Sequence, residues 1–133
     1  MAADIVVTVT PAAEPVVRAG DMRRGQHFAA LGADAHGKGE IEPAALSECR
    51  LFCDEWVQAS KGGELSTAVT RELIGRDDVT EIGAVLLGEA RGRSGDEEIT
   101  LFDSTGLAIQ DLAIAKGVLD AHAAGLDVPS ISL

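Results

Sequence analysis

The sequence Leu31-Gly-Ala-Asp-Ala-His-Gly-Lys-Gly-Glu40 sets the Asp34 carboxylate and the Lys38 ammonium group in a glycine-rich turn at the end of an apolar run. Further along the chain, Phe102-Asp-Ser-Thr-Gly106 sets two hydroxyl groups ahead of a long apolar segment. Each stretch follows a predicted strand, and ligands bind at the carboxyl ends of strands in open α/β sheets. The two stretches therefore predict an α/β fold with a ligand site at one sheet edge.

Strand-like runs alternate with helical patterns along the chain, which predicts βαβ units and a mostly parallel sheet. The run Ile5–Thr10 is almost entirely β-branched, which predicts a buried strand. Three further strands are predicted at His27–Leu31, Arg50–Cys53 and Ile99–Phe102.

Helices are predicted from their start and stop signals. Glu42-Pro43 indicates the start of a short helix that ends near Glu48, because proline is favoured in the first helical position. Trp56–Ala59 is expected to form a helical turn, followed by a loop at Lys61-Gly62-Gly63.

The second half of the chain carries two stronger helix signals. Asp78-Val-Thr-Glu81 matches a capping box, so a helix is expected from Ile82 to Gly88. Leu107–Ala124 is the longest predicted helix, and Gly125 ends it.

Composition limits the possible partners. The chain has 133 residues, about one domain, with 46% hydrophobic and 25% charged residues, as in globular proteins. A net charge of −11 and 3% aromatic residues argue against binding nucleic acid, which requires basic patches or stacking platforms. The acidity is explained by solubility or, alternatively, by adaptation to high salt.

Cysteine usage and hydropathy indicate a cytoplasmic protein with no membrane segment. Cys49 and Cys53 lack the second ligand pair of a zinc site and are expected to pack as small apolar residues. Met1–Thr10 lacks the basic region of a signal peptide. No segment reaches the apolar length of about 18 residues that a membrane span needs. No metal site is predicted, because His27, His36 and His122 lie far apart in the sequence.

Asp34 is the sharpest candidate for chemistry. Gly32 and Gly37 allow a tight turn around it, and its carboxylate could move a proton to or from a substrate. The alternative is an Asx-turn residue. Lys38 is either a point charge for a phosphate or carboxylate or a solvated loop residue, and His36 is either titratable near neutral pH or simply on the surface.

Hydroxyl groups follow two of the strands. Ser104 and Thr105 precede the long helix, where one of them is expected to be the N-cap and where a helix N-terminus also attracts ligand oxygens. The Thr10 hydroxyl faces a cofactor or caps its strand before Pro11. No G-x-G-x-x-G motif occurs, so the chain has no dinucleotide pyrophosphate loop of its own. Together, the two strand ends indicate a nucleotide-dependent enzyme.

Several motifs occur together along the chain: Asp4-Ile-Val-Val-Thr-Val-Thr-Pro11, Gly25-Gln-His27, Gly32-Ala-Asp34 with Gly37-Lys38 and Glu40, Gly63-Glu-Leu65, and Ile99-Thr-Leu-Phe-Asp-Ser-Thr-Gly106. In this combination and order, the chain resembles the ornithine cyclodeaminase/mu-crystallin family over roughly residues 3–125.

The resemblance is to the C-terminal half of the family's proteins. It implies that residues 1–133 form one partial domain, the C-terminal part of a Rossmann-like NAD(P)-binding domain with a long C-terminal helix. It also implies that Ile5–Thr10 is a middle strand and that the N-terminal substrate and dimerisation domain is absent.

The resemblance also implies roles for individual residues. Asp34 would be the catalytic acid/base, in contact with both cofactor and substrate, and Thr105 would lie near the substrate. The remaining cofactor residues would be Thr10, Leu31, Gly32, Ala33, Lys38 and Ser104. The sequence departs from the family at His36, where proline is common.

The activity implied by the resemblance is NAD-dependent conversion of L-ornithine to L-proline and ammonia. Alternatives are an alanine or other amino-acid dehydrogenase, a ketimine (imine) reductase, or a noncatalytic relic or structural binding domain. The expected cofactor is NAD, not discriminated from NADP, and the substrate is a small amino acid or imine. A homodimer is expected for the full-length protein.

Overall fold

The structure is a computed structural model that describes residues 3–33, 35, 37–127 and 129. Five parallel strands form one sheet in the order β1-β2-β5-β3-β4. The strands are β1 (Ile5–Thr8), β2 (His27–Ala30), β3 (Arg50–Cys53), β4 (Val79–Glu81) and β5 (Thr100–Asp103). The predicted parallel α/β fold is therefore confirmed.

Within the described residues, three α-helices and three 3-10 turns lie between the strands, and a fourth α-helix follows the last strand. The helices are α1 (Trp56–Gly62), α2 (Ser66–Thr70), α3 (Ile82–Leu86) and α4 (Ala108–Ala123). The 3-10 turns span Ala19–Asp21, Pro43–Glu48 and Arg76–Asp78.

One face of the sheet forms the core. Alternate strand residues point to it, as the period of two in a strand requires, and include Phe28, Leu51 and Leu101. The Pro43–Glu48 turn and helices α1 and α2 supply the opposite layer, with Leu46 and Leu65 fully buried. The complete buried cluster comprises Val17, Phe28, Ala30, Ile41, Ala45, Leu46, Leu51, Cys53, Ala59, Leu65, Ala68, Ile74, Val79 and Leu101.

The prediction that Ile5–Thr10 is buried is wrong for this structure. The strand ends at Thr8 and lies at the sheet edge, where β2 is its partner. Ile5 and Val7 are 66% and 58% exposed, because no described element covers that face of β1. The apolar run predicts that both faces of β1 are buried, but the described residues cover only one of them.

The predicted capping box at Asp78–Glu81 is also wrong. Val79–Glu81 forms strand β4, paired with β3, and α3 begins only at Ile82 with Glu81 as its N-cap residue. The Asp78 carboxylate instead accepts a hydrogen bond from the Gly75 N–H at 2.7 Å, which closes the preceding 3-10 turn.

Other boundaries differ from the predictions by local causes. Helix α1 continues through Lys61 and Gly62, which the sequence predicts as loop, and its last turn is closed by the Gly63 N–H, which donates to the Ala59 carbonyl at 3.2 Å. Helix α2 was not predicted. Neither Ser104 nor Thr105 is the N-cap of α4, since that helix begins at Ala108 with Leu107 as its N-cap residue.

The long helix forms where the sequence predicts it, and Gly125 follows it with φ of +94°, as a helix-terminating glycine does. None of its residues is buried, and Leu112 and Leu119 are largely exposed. Cys49 and Cys53 are free thiols, and burial raises the pKa of each to about 12, which agrees with their predicted packing role. No helix within the described ranges combines the length and apolarity needed to span a membrane.

Candidate functional site

The parallel sheet gathers the candidate residues at one edge, because all strands end on the same side. The Leu31 N–H donates to the Thr8 carbonyl at 2.9 Å, so the chain after β2 runs beside the end of β1. The Ser104 N–H donates to the Ala30 carbonyl at 3.1 Å, so the chain after β5 runs beside β2. Thr10, the Leu31–Ala33 segment and Ser104 therefore occupy neighbouring strand ends.

Glu40 joins the first two strand ends through its side chain. Its Oε1 accepts hydrogen bonds from the Thr10 N–H at 2.6 Å and the Thr10 hydroxyl at 2.8 Å. Its Oε2 accepts from the Gly32 N–H at 3.0 Å. The Thr10 hydroxyl therefore contacts a buried carboxylate, and its oxygen lone pairs remain for any other partner.

Gly32 is a close-approach position. A Cβ atom there would meet the Thr10 carbonyl oxygen and would lie 2.6 Å from the Glu40 carboxylate. These separations are too short for any side chain, so glycine is required where the two strand ends meet.

Two further buried carboxylates continue this arrangement beneath the sheet edge. Glu64 accepts from the N–H groups of Glu40, at 3.0 and 2.9 Å, and of Ile41, at 2.7 Å. Asp103, at the end of β5, accepts from the Leu65 N–H at 3.2 Å. Each carboxylate thus holds the backbone of the segment that carries the next one.

Burial dominates the electrostatics of these acids. Desolvation raises the pKa of Asp103 to about 7, and the nearby Glu64 and Asp54 carboxylates add to the increase against the lowering effect of backbone N–H donors. Desolvation likewise raises the pKa of Glu64, with backbone hydrogen bonds from Glu40 and Ile41 opposing it. The Oδ1 atom of Asp103 is buried and has no hydrogen-bond partner in the described part of the chain.

Asp54, which follows β3, shapes the turn after β5. Its Oδ2 accepts from the Ser104 hydroxyl at 2.9 Å, the Thr105 N–H at 3.1 Å and the Gly106 N–H at 3.2 Å. The two hydroxyl residues of the Ser104-Thr105 pair are therefore held by a strand-end carboxylate rather than by a helix cap.

Thr105 lines a shallow, open cavity of about 350 Å³ between the turn and helix α1. Its hydroxyl lies 3.1 Å from Gln58 Oε1, and Lys61 lines the same cavity. Gly63 brings α1 close, since a Cβ there would meet the Asp103 carboxylate and lie 2.8 Å from the Thr105 methyl group.

A larger cavity of about 440 Å³ lies between the other sheet face and helix α3, and not at the strand ends. Phe52, Phe102 and Val85 make its lining mainly apolar. His27 also lines it, and burial, with a smaller contribution from the Arg93 charge, lowers the pKa of His27. We assign the candidate site to the strand ends, because the polar groups converge there.

Of the remaining predicted site residues, some lie at the sheet edge and others lie outside the described part of the chain. Leu31 is 41% exposed at the edge, Ala33 is buried, and Lys38 is half-buried with its N–H donating to the Ala35 carbonyl at 3.2 Å. Asp34 and His36 lie outside the described residues.

Four acids of the site received no role in the sequence analysis: Glu40, Asp54, Glu64 and Asp103. A weak signal exists for two of them, because Glu40 and Glu64 each stand between a glycine and a large aliphatic residue, a setting that favours burial. Their partners are distant in sequence, so spacing alone could not assign their contacts.

Comparison with known sequences identifies relatives along most of the chain. The model of the ornithine cyclodeaminase/mu-crystallin family matches residues 1–125. Alanine dehydrogenase of Archaeoglobus fulgidus is 48% identical over 118 residues, which is 88% of this chain and 37% of that protein. Iminosuccinate reductase of Paracoccus denitrificans is 41% identical over 118 residues, 89% of this chain and 37% of that protein.

Solved structures give the same result. An archaeal alanine dehydrogenase dimer with bound NAD superposes with a TM-score of 0.86 at 43% identity, over 98% of this chain and 41% of that chain. The Paracoccus denitrificans iminosuccinate reductase in complex with NAD+ gives 0.87 at 40% identity, over 94% and 39%. Thermococcus litoralis Δ1-pyrroline-2-carboxylate reductase with NADH and L-proline gives 0.86 at 27% identity, over 97% and 41%.

These relatives are considerably longer than the chain, which spans 37% of the length of the two curated sequences. Within that span the parallel sheet and the order of the motifs agree with the family model. The chain belongs to the ornithine cyclodeaminase/mu-crystallin family.

Proposed function

We propose that this chain forms the C-terminal part of an NAD-dependent enzyme that interconverts a small amino acid and its imine. The supporting observation is the meeting of Thr10, Gly32 and Ser104 at three neighbouring strand ends. Structural neighbours that share this sheet were crystallised with NAD+ or NADH.

The strand ends fit a dinucleotide. The edge is polar, because the Thr10 hydroxyl, the Gly32 backbone and the Ser104 hydroxyl lie there at neighbouring strand ends. Thr10, Leu31, Gly32, Ala33, Lys38 and Ser104 would hold the cofactor. Bound nicotinamide would supply hydride transfer, while the protein orients it.

Asp34 is proposed as the proton-transfer group, with Thr105 on the substrate side. Hydride removal from the α-carbon of an amine leaves an iminium, and water attack on this carbon requires a nearby base. Asp34 follows Gly32 by two residues, and the Gly32 N–H is fixed by its hydrogen bond to Glu40. This fixed backbone would help to position the Asp34 carboxylate.

Replacing Asp34 tests this role in the full-length protein. We expect Asp34→Ala to lower kcat by about 10²–10⁴-fold, the usual contribution of a general acid or base. NAD affinity, measured by titration, should stay close to wild type. Asp96→Asn, in an exposed loop, is the matched control and should leave kcat unchanged. Turnover near wild type in Asp34→Ala would contradict the assignment.

The substrate is proposed from two of the similar relatives. Identities of 48% and 41% to an alanine dehydrogenase and an iminosuccinate reductase favour a dehydrogenase or imine reductase. Ornithine cyclodeamination is the second candidate, because the matching family model includes it. The two differ in outcome, since a dehydrogenase accumulates NADH whereas a cyclodeaminase returns the hydride and forms proline.

One set of assays separates these candidates. The full-length protein is incubated with alanine or ornithine and NAD or NADP, and separately with cyclic imines and NADH or NADPH, while nicotinamide absorbance and proline are measured. NADH formation from alanine supports the first candidate, and proline without net NADH supports the second. Consumption of NADH or NADPH by an imine also supports the first candidate. If no substrate is turned over, the noncatalytic alternative is favoured.

A homodimer, by analogy with the archaeal alanine dehydrogenase dimer, is part of the same proposal.

A further inference from the structure

The Glu40 side chain is fully buried, and three hydrogen bonds from two separate strand ends converge on it. Thr10 is 30 residues away in the sequence, and Gly32 is 8 residues away. The two carboxylate oxygens divide these donors, with Oε1 facing Thr10 and Oε2 facing Gly32. One side chain thus sets the separation between the end of β1 and the loop after β2.

The backbone of Glu40 is itself fixed on both sides. Its N–H donates to both oxygens of the buried Glu64 carboxylate. Its carbonyl accepts from the Val16 N–H at 2.7 Å and the Val17 N–H at 2.9 Å. The carboxylate therefore extends from a rigid base, and its position is preorganised.

The space beside Gly32 also matches the Glu40 carboxylate. The missing side chain at Gly32 leaves room for Glu40 Cδ and Oε2, each 2.6 Å from the place a Cβ atom would occupy. A group that only filled space would not require both a glycine and directed N–H donors. The arrangement is suited to fixing a backbone position.

We propose that Glu40 is a positioning residue, whose buried carboxylate holds Thr10 and the Gly32 segment in the relative placement that the reaction needs. The inference rests on the proposed function, because Gly32 leads into Asp34 and Thr10 belongs to the proposed cofactor contacts. Glu40 acts through these residues and does not itself touch substrate.

Glu40→Gln is the direct test in the full-length protein. The amide keeps the size of the side chain but has one acceptor oxygen, so its NH₂ group must face either the Thr10 or the Gly32 N–H. We expect kcat to fall at least about tenfold, since small displacements of reacting groups have effects of this size or larger. The pH dependence of kcat should also change, because the surroundings of Asp34 change.

Glu42→Gln is the matched control. Glu42 lies two residues away, and its carboxylate accepts one hydrogen bond from the Ala19 N–H at 3.0 Å, away from the strand ends. This variant should keep kcat within about twofold of wild type, as surface substitutions usually do. All assays are run where circular dichroism shows each variant to be fully folded. Unchanged kcat and pH profile in folded Glu40→Gln would overturn the inference.

A second readout does not depend on activity. Hydrogen exchange followed by mass spectrometry reports on the peptides that contain the Thr10 and Gly32 amides. In Glu40→Gln we expect faster exchange in at least one of the two peptides, the one whose N–H then faces the NH₂ group, and in Glu42→Gln we expect unchanged exchange in both. If the wild type turns over no substrate, the proposed function fails while this readout still decides the positioning role. Unchanged exchange in Glu40→Gln would overturn that role.

Discussion

Acidic side chains at the strand ends carry the polar contacts of the candidate site. Asp54, Glu40 and Glu64 each accept at least three hydrogen bonds from segments elsewhere in the chain. Buried carboxylates with such donors hold backbone segments in place, because breaking the contacts would leave polar groups unpaired in the interior. Asp103 differs, since one of its oxygens is buried without a partner in the described ranges.

Asp103 is expected to make stability depend on pH. The pKa of its carboxyl group is about 7 in the folded chain, against 3.8 for the unfolded reference. Between these values the folded chain holds a proton that the unfolded chain releases, so the free energy of unfolding falls as the pH rises from 4 to 7. Asp103→Asn has no titrating carboxyl group at this position. As the pH rises from 4 to 7, its free energy of unfolding should therefore increase relative to that of the wild type by a few kcal/mol, the order of magnitude of such a pKa shift.

Urea unfolding at several pH values between 4.5 and 8 measures this difference. The neighbouring acids titrate in both proteins, so subtracting the two curves isolates the contribution of Asp103. Asp96→Asn, at an exposed position, should run parallel to wild type. Parallel curves for Asp103→Asn as well would contradict the raised pKa.

At the scale of elements, apolar patterning was sufficient for some strands and not for others. Arg50–Cys53 could be predicted because three of its four residues are apolar, and the structure buries all three. Strand β4 could not be predicted, because only three residues pair, and because Asp78, which precedes the strand, and Glu81, its last residue, match a helix-capping pattern instead. Pairing with β3 decided the structure of this segment over its local preference.

Sequence also cannot tell which apolar positions are covered. Leu51 in β3 is 1% exposed, whereas Leu119 in α4 is 69% exposed, although both belong to apolar elements. In this chain we expect Leu51→Ala to lower the free energy of unfolding by about 2–5 kcal/mol, the range for buried leucines. Leu119→Ala should change it by less than about 0.5 kcal/mol. Denaturant unfolding of the two variants checks the difference, and equal effects would contradict the exposure of α4.

At the scale of the molecule, two surface properties oppose each other. The net charge of −11 favours separation of the molecules, whereas Ile5, Val7 and Val9 expose an apolar sheet edge. An uncovered edge strand with apolar side chains favours association with other chains. Charge repulsion is screened by salt, but apolar contacts are not.

We therefore expect this chain to self-associate more strongly as salt is raised. Sedimentation velocity at 20 mM and 1 M sodium chloride should show a shift toward larger species at the higher concentration. Val7→Glu keeps the sign of the charge and interrupts the apolar edge, so it should reduce the shift. A salt-independent mass for the wild-type chain would contradict this expectation.

The candidate site could be located from the sequence, but its internal contacts could not. Thr10 ends one predicted strand, and Gly32 and Ser104 follow two others. Parallel strands end at one edge, so the proximity of these residues follows from the topology. The contact between Glu40 and Thr10 spans 30 residues and depends on how a loop returns to the sheet. The role of Asp34 stays a prediction, since that residue lies outside the described part of the chain.

The two strand-end hydroxyls have a consequence for whatever binds beside them. Each of these hydroxyls, on Thr10 and on Ser104, points its single hydrogen at a carboxylate oxygen. A ligand that leaves these two hydrogen bonds intact finds only the lone pairs of the hydroxyl oxygens available. It must therefore act as the hydrogen-bond donor. Amide nitrogens, ammonium groups and sugar hydroxyls satisfy this requirement, while bare carbonyl oxygens do not.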